Sequence, residues 1–370
     1  MSTASTAASS PEKVVTPVGI GPLLVVRLGA MGDVIHALPA VTALRQAFPE
    51  ATLSWLIEER WAELLCTLAA PRSGPRSPQR PLVDRVHPVD TKQWRAAPFS
   101  LQTWERIAAG LSDLRAGRYE LAVDLQGAIR SALLARWSGA PVVYGAAQPR
   151  ENLASMFYTR QVITSGDHVV QQNLRLAEAI AQRPLQLQQV DFPDDPAAKQ
   201  ELDRWLTDRG IQSFALLSPG AGWGAKQWPA ERYGQVARKL AEDGVKCVVN
   251  SGPGEQQLAR TLAGAGDGAV EIFSGSLTQL IALTRRARLY IGGDTGPMHL
   301  AGALRIPVVG IFGPTDPARN GPFGTRNIVL RSPSSVNSYK HVARMDDGLL
   351  DIGAEQVVTA ARELLQEGHD

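Results

Sequence analysis

From residue 21 onward the chain alternates short apolar runs with longer stretches whose apolar residues recur at helical spacing. Leu23–Val26 is a four-residue apolar run closed by a turn at Gly29, the pattern of a parallel strand buried on both faces. A helix is predicted over 33–48, with Val34, Leu38, Val41 and Leu44 recurring near i, i+4 and i+7. A second strand is predicted at 53–57. Another unit opens at 121–125, closes on Gln126-Gly127, and continues as a helix from about Ile129. The second half repeats the scheme. Strands are predicted at 214–217, 245–249, 269–273, 289–291 and 307–312, with helices at 229–241 and 254–263 between the first of them.

Two stretches interrupt the alternation. Prolines and a glycine crowd the segment 71–81, which predicts a loop with no regular structure. Residues 183–196 carry three prolines and lose the periodicity, which places a linker at 186–196. Strands alternating with helices imply parallel sheets and right-handed crossovers. The predicted fold class is therefore α/β, with two doubly wound Rossmann-like domains at 21–185 and 197–370. The final helix, Ala354–Gln366, can complete either one. Residues 1–20 are small and polar and read as a disordered leader.

Composition excludes several classes. With 44% hydrophobic and 20% charged residues, the 370-residue chain is too apolar to be disordered. No run approaches the 18 consecutive apolar residues of a membrane span. Two cysteines, Cys66 and Cys247, exclude a disulfide scaffold, and their apolar flanks suit buried thiols in a reducing, cytoplasmic compartment. Net charge is only +2, but residues 1–185 hold 19 Lys/Arg against 15 Asp/Glu, and 72–106 hold seven against three. That bias suits an anionic small molecule or an anionic membrane surface. It is too small for nucleic acid.

Ligands of doubly wound sheets sit beyond the carboxyl ends of strands, so the turns after strands carry the candidate chemistry. The first, 27–36, reads R-L-G-A-M-G-D-V-I-H. It lacks a dinucleotide fingerprint. Asp33 is either a helix N-cap or a carboxylate that accepts a proton from a hydroxyl nucleophile. The second turn holds Gly220, Ala221, Gly222 and Gly224 before Lys226 and Pro229, an arrangement able to cradle phosphate, although its spacing is not that of a P-loop. Its plainer reading is a tight connection with a solvated lysine. In the third turn, Asp294, Thr295 and Gly296 follow a strand, with His299 one helical turn on. Thr295 and Gly296 can donate to an anion and Asp294 can accept from sugar hydroxyls, while His299 alone reads equally as a core or capping residue. Glu255 suits either a helix N-terminus or ribose hydroxyls, and Gly275, between Ser274 and Ser276, could flank a purine. No cluster has metal-ligand spacing and no D-x-D occurs, so a diphosphate would be met by Lys226, amides and helix dipoles.

Taken together and in order, these turns resemble the ADP-heptose:lipopolysaccharide heptosyltransferase family. The resemblance is carried by G-D-V-I-H (Gly32 to His36), D-x-Q-G (Asp124, Gln126, Gly127), R-E-N-L-A-S-M-F-Y (150–158), P-G-A with K-Q-W-P (219–221 and 226–229), D-T-G-P-M-H (294–299) and F-G-P-T-D-P (312–317). The 150–158 segment favours the type I branch. The resemblance implies a GT-B architecture, an acceptor-binding first domain, and a second domain for the nucleotide sugar ADP-heptose. It implies inverting transfer without metal or cofactor, with Asp33 as general base. Lys226 and the Thr295 and Gly296 amides would hold diphosphate, Glu255 the ribose, and Asp294 the heptose, with His299 beside it. The implied acceptor is the 3-deoxy-D-manno-octulosonic acid of the anionic lipid A core. Gly32, Lys92, Arg95, Gln126 and Arg130 are the candidate acceptor residues. Each of the basic ones reads equally as solvated surface. Trp94, Phe99 and Trp104 are candidates for peripheral contact with the cytoplasmic face of the inner membrane.

Other readings survive the sequence. They are an epimerase or transferase using another nucleotide sugar on the same architecture, or a non-catalytic nucleotide-sugar sensor. A dehydrogenase is disfavoured because no G-x-G-x-x-G follows a strand.

Overall fold

The computed structural model describes residues 19–97, 99–338 and 345–366. The leader read at 1–20 lies, up to residue 18, outside the described residues. The first sheet contains β1 (Leu23–Val26), β2 (Leu53–Glu58), β3 (Arg85–Val89), β4 (Leu121–Asp124), β5 (Val142–Ala146) and β6 (Arg160–Val162). The second contains β7 (Phe214–Ser218), β8 (Lys246–Asn250), β9 (Val270–Phe273), β10 (Leu289–Gly293), β11 (Val308–Phe312) and β12 (Asn327–Arg331).

The strand orders are β3-β2-β1-β4-β5-β6 and β12-β11-β10-β7-β8-β9, and every pairing is parallel. Within each sheet the chain starts at the centre, winds one way, then crosses back and winds the other. The direction of winding therefore reverses between β1 and β4, and again between β7 and β10. Crevices at such reversals are where doubly wound sheets bind ligands. The turns after β1, β4, β7 and β10 carried most of the candidate chemistry, while Lys92 and Arg95 follow β3, Glu255 follows β8 and Gly275 follows β9.

β1 and β10 are buried along their whole length, which is why both read as continuous apolar runs. The helix Met31–Ala47 is buried on most sides, unlike an ordinary surface helix. It lies between the first sheet and two other helices, Val169–Ala181 and Gly296–Ala303, the latter from the second sheet's half of the chain. Fully burying each Val or Leu of this helix contributes about 1.5–3 kcal/mol. This helix joins the two halves of the molecule.

The linker region is irregular from 183 to 195, and a helix starts at Pro196. The final helix, Ala354–Gln366, packs on the second sheet through Val357, Val358, Ala361 and Leu364. The 71–81 loop contains only isolated bridges, yet it is built around one buried side chain. Arg80 donates to the carbonyls of Pro71, Gly74, Pro75 and Val83. The loop also meets the interdomain segment, where the Asp194 amide donates to the Pro78 carbonyl at 2.8 Å. Cys66 and Cys247 are buried free thiols. Burial pushes the Cys247 thiol up to about 12.

Candidate active site

The helix after β1 begins at Met31, two residues earlier than its apolar pattern suggests. Ala30 is thus the cap and Asp33 the third helical residue, which corrects the N-cap reading. Asp33 Oδ2 accepts from the Ala30 amide at 3.1 Å. Its Oδ1 is 2.9 Å from Nη2 of Arg27, while the Asp33 side chain keeps 38% of its surface exposed. Arg27, buried at the end of β1, also donates to the Leu125 carbonyl beyond β4. One guanidinium therefore ties both turns of the crevice and fixes the carboxylate while leaving it open to solvent. Arg27 had no role assigned from the sequence. Its signal was an arginine directly after an apolar strand and six residues before the acid.

Gln126 reinforces the same junction, accepting from the Leu28 amide at 2.9 Å. Below it, buried Asp124 accepts from the Gln126 amide (2.8 Å), the Gly127 amide (3.2 Å), Ser131 Oγ (2.9 Å) and Tyr158 Oη (2.7 Å). Burial raises the Asp124 carboxyl above its ordinary value, and these four donors oppose that shift. Two motifs far apart in sequence, 124–127 and 150–158, thus form one unit. Gly127 has φ +70°, and a Cβ there would fall 2.9 Å from the Arg150 amide nitrogen. Only glycine fits that corner.

Of the basic candidates, Arg130 is half-buried and donates to Thr91 Oγ1 at 2.8 Å. The Thr91 hydroxyl in turn donates to buried Glu58. Burial lowers the Arg130 guanidinium from its ordinary value, with Arg95 and Arg150 adding repulsion while Glu58 opposes. Arg95, Arg130 and Arg150 therefore share one positive region, of which Arg150 was not anticipated as a basic contact. Lys92 and Arg95 are exposed on the helix Thr91–Ala96.

Across the crevice, Lys226 Nζ is 2.6 Å from Asp294 Oδ2, with side chains 17% and 5% exposed. It also lies 5.2 Å from the centroid of the Trp223 ring. Asp294 Oδ1 is 3.1 Å from His299 Nε2. Burial pushes the Asp294 carboxyl up, but the His299 hydrogen bond and the Lys226 charge outweigh it and hold the group well below the usual carboxylate range. Glu255 accepts from the Gly252 amide at 2.9 Å. Its carboxylate also lies against Gly220, where a Cβ would fall 1.9 Å from Oε1. Ala221 follows Gly220 on the same loop. Thr295 caps the helix Gly296–Ala303 and donates through Oγ1 to the Gly293 carbonyl at 3.3 Å. Its neighbour Gly296 opens the first turn, where amides lack intrahelical partners. Gly275 is exposed after the edge strand β9, beside Ser276, which caps the next helix. It sits farther out than the other donor candidates. Among the described residues, no group of three or more His, Cys, Asp or Glu side chains could hold a metal ion.

The two lobes touch at their helix starts. A Cβ on Gly32 would fall 2.4 Å from His299 Cδ2, and one on Gly296 would fall 2.5 Å from Met31 Sδ. Asp33 therefore opens one helix of the pair, and the Thr295–Gly296 corner opens the other. The His36 and His299 rings are 4.1 Å apart, and His168 Nε2 reaches the Gly321 carbonyl at 3.1 Å. The helix start that bears the anchored Asp33 thus packs against the helix start that follows Asp294, whose carboxylate is paired with Lys226 and His299.

The sequence profile of glycosyltransferase family 9 (heptosyltransferase) matches residues 108–346. Lipopolysaccharide heptosyltransferase 1 of Escherichia coli K12 is 32% identical over 317 residues, covering 84% of this chain and 93% of that protein. The Pseudomonas aeruginosa protein of the same name is 31% identical, covering 84% and 83%. The structure of E. coli heptosyltransferase WaaC with ADP superposes with a TM-score of 0.74 at 28% identity, covering 93% of this chain and 99% of that one. Its two facing domains are the GT-B arrangement, as the resemblance implied. With sequence, fold and crevice in agreement, this chain belongs to glycosyltransferase family 9, the heptosyltransferases.

Proposed function

We propose that this glycosyltransferase moves heptose from ADP-heptose to the 3-deoxy-D-manno-octulosonic acid of the lipopolysaccharide inner core, with inversion at the anomeric carbon and without a metal. The observation that carries this reading is the juxtaposition of the Asp33 helix start with the Gly296 helix start. Inversion in one step needs a base on the acceptor side and charge stabilisation on the leaving-group side. Asp33 supplies the first: an acceptor hydroxyl placed at its open face gives up its proton as the oxygen attacks. The second falls to Lys226 and the Thr295 and Gly296 amides, which meet the departing ADP as charge builds on its phosphate oxygen. The arriving diphosphate competes with Asp294 for the Lys226 ammonium, which frees an Asp294 oxygen for the heptose hydroxyls. His299 holds the other oxygen throughout. Glu255 takes the ribose, and the loops bearing Gly220, Ala221 and Gly275 surround the nucleoside. Closure of the lobes excludes water from the displacement.

On the acceptor side, Arg95, Arg130 and Lys92 meet carboxylate and phosphate, with Gly32 and Gln126 shaping the floor. Phe99 (97% exposed), Leu101 and Trp104 lie exposed beside these basic residues, a composition suited to the anionic cytoplasmic face of the inner membrane. No described helix is long and apolar enough to cross a membrane.

The test is a transfer assay with a truncated lipid A core acceptor and several nucleotide sugars, with the stereochemistry of the product determined. ADP-heptose should be the preferred donor, the product should carry the inverted anomer, and a chelator should leave the rate unchanged. Retention of configuration, or turnover abolished by chelation, would contradict the mechanism. Epimerised nucleotide sugar as the product would replace it with the epimerase reading.

A further inference from the structure

Glu58 ends β2 as a buried acid, 7% exposed. A carboxylate at that depth persists only where donors or an opposite charge meet it. Thr91 supplies the donors: its amide lies 3.3 Å from Glu58 Oε2, and its hydroxyl donates to Oε1. The same hydroxyl accepts from Arg130 Nη1 at 2.8 Å. The direction of this link is forced. A guanidinium has donors only, so the Thr91 hydroxyl must accept from Arg130 and spend its one proton on Glu58.

The link spans three turns at the carboxyl ends of neighbouring strands. Glu58 closes β2, Thr91 opens the helix after β3, and Arg130 is the second residue of the helix Ile129–Trp137 after β4. The Glu58 amide also donates to the Leu28 carbonyl at 3.1 Å, in the turn that leads to Asp33. Among the described residues, Thr91 is the only hydrogen-bond partner of the Arg130 side chain. Burial and the charges of Arg95 and Arg150 act against the Arg130 cation, and Glu58 opposes them ahead of Glu151. Thr91 is 1% exposed, so neither it nor Glu58 has surface to offer an acceptor. Arg130 is the one member left accessible.

We propose that Glu58 and Thr91 are positioning residues for the acceptor: through the Thr91 hydroxyl, the Glu58 carboxylate fixes Arg130 where its remaining donors meet an anionic group of the acceptor. This rests on the reading of Arg130 as an acceptor contact. An unfixed arginine beside Arg95 and Arg150 would swing away from their charges and would lose side-chain freedom again on meeting the anion. Held from below, its guanidinium is aimed before the acceptor arrives, on the same frame that carries the Asp33 turn.

Steady-state kinetics on the full chain, with the truncated lipid A core acceptor and saturating ADP-heptose, test this. Thr91→Val keeps the side-chain shape and removes the hydroxyl. It should raise the acceptor KM by about tenfold or more, with kcat within about twofold of the parent and the Kd for ADP unchanged. Thr91→Ser should restore the parent KM. Arg130→Ala should raise the acceptor KM as well, and Thr91→Val added to it should change nothing further, because one acts through the other. If Thr91→Val does not fold, as judged by circular dichroism, Glu58→Gln takes its place in the same cycle. A parent-like KM in Thr91→Val, or additive effects in the double variant, would overturn the positioning role. An acceptor KM unmoved by Arg130→Ala would instead overturn the acceptor reading beneath it, so the two failures are distinguishable. Acceptor stripped of phosphate separates the two anions: a Thr91→Val effect that survives places the carboxylate at Arg130, one that vanishes places a phosphate there, and either supports the link.

Discussion

Lys226 and Asp294 show how a binding site is held ready before its ligand arrives. A lysine among glycines with no fixed partner would lose much side-chain entropy on meeting phosphate. Here Asp294, itself held by His299, already positions the ammonium. Replacing the lysine by methionine keeps most of its length and removes the charge. Lys226→Met should weaken ADP binding by about 10- to 150-fold, the worth of a lost charge-assisted hydrogen bond. Calorimetry on protein shown to be folded by circular dichroism measures it, and unchanged affinity would remove Lys226 from the cradle. At this scale the sequence was most informative where residue type dictates chemistry. Lys226, Asp294 and Asp33 stood out as charged side chains beside glycine turns, although Asp33 read equally as a cap and Lys226 as a solvated side chain. Arg27 did not, because its role depends on the Leu125 carbonyl arriving from β4, a contact no local pattern encodes. Asp124 is a similar case. Its partner Tyr158 lies 34 positions away.

Among elements, the pair of helices starting at Met31 and Gly296 matters most, and glycine sets their approach. At Gly296 an added methyl meets the stem of Met31 as well as its sulfur, with Cβ and Cγ each at 2.7 Å. At Gly32 it meets a buried imidazole held by Asp294 and edge-on to His36. Gly32→Ala should therefore force the lobes apart. The expected cost is about 1–3 kcal/mol of stability, typical of overpacking, and calorimetric unfolding measures it. Gly296→Ala meets Met31 just as closely and should cost a comparable amount, and unchanged stability in both variants would show that the helix contact is not what constrains these positions. Strands of the buried centre were legible because they are uniformly apolar. The edges were not. β3 contains Pro88, tolerated because an edge strand has a ladder face without partners. β6 has only three residues, two of them exposed. The 71–81 loop was rightly read as irregular, but its internal order comes from the single buried Arg80.

For the molecule as a whole, the junction of the lobes should make folding sensitive to acid. His36 and His168 are both held below their ordinary value of 6.5, by burial first and then by repulsion from His299. The native state therefore resists protons that the unfolded chain takes up below about 6.5. Stability should be full above that pH and fall as acid is added. Asp294, held low, adds a further loss only below the ordinary carboxylate range. Scanning calorimetry from pH 7.5 to 5 should show a falling transition temperature, with a shallower slope in His36→Asn; equal slopes would place the sensitivity elsewhere. The doubly wound order of both sheets followed from the alternation of strand and helix, whereas the face-to-face placement of the two crevices was implied only by the family resemblance and is seen in the packed helices. That placement is the central claim, and the Asp33→Asn variant tests it most directly, with turnover and ADP affinity measured on the same protein. Turnover should fall by about 10²-fold or more while the Kd for ADP stays unchanged. Turnover like that of the parent would contradict it, as would a loss explained entirely by weaker ADP binding.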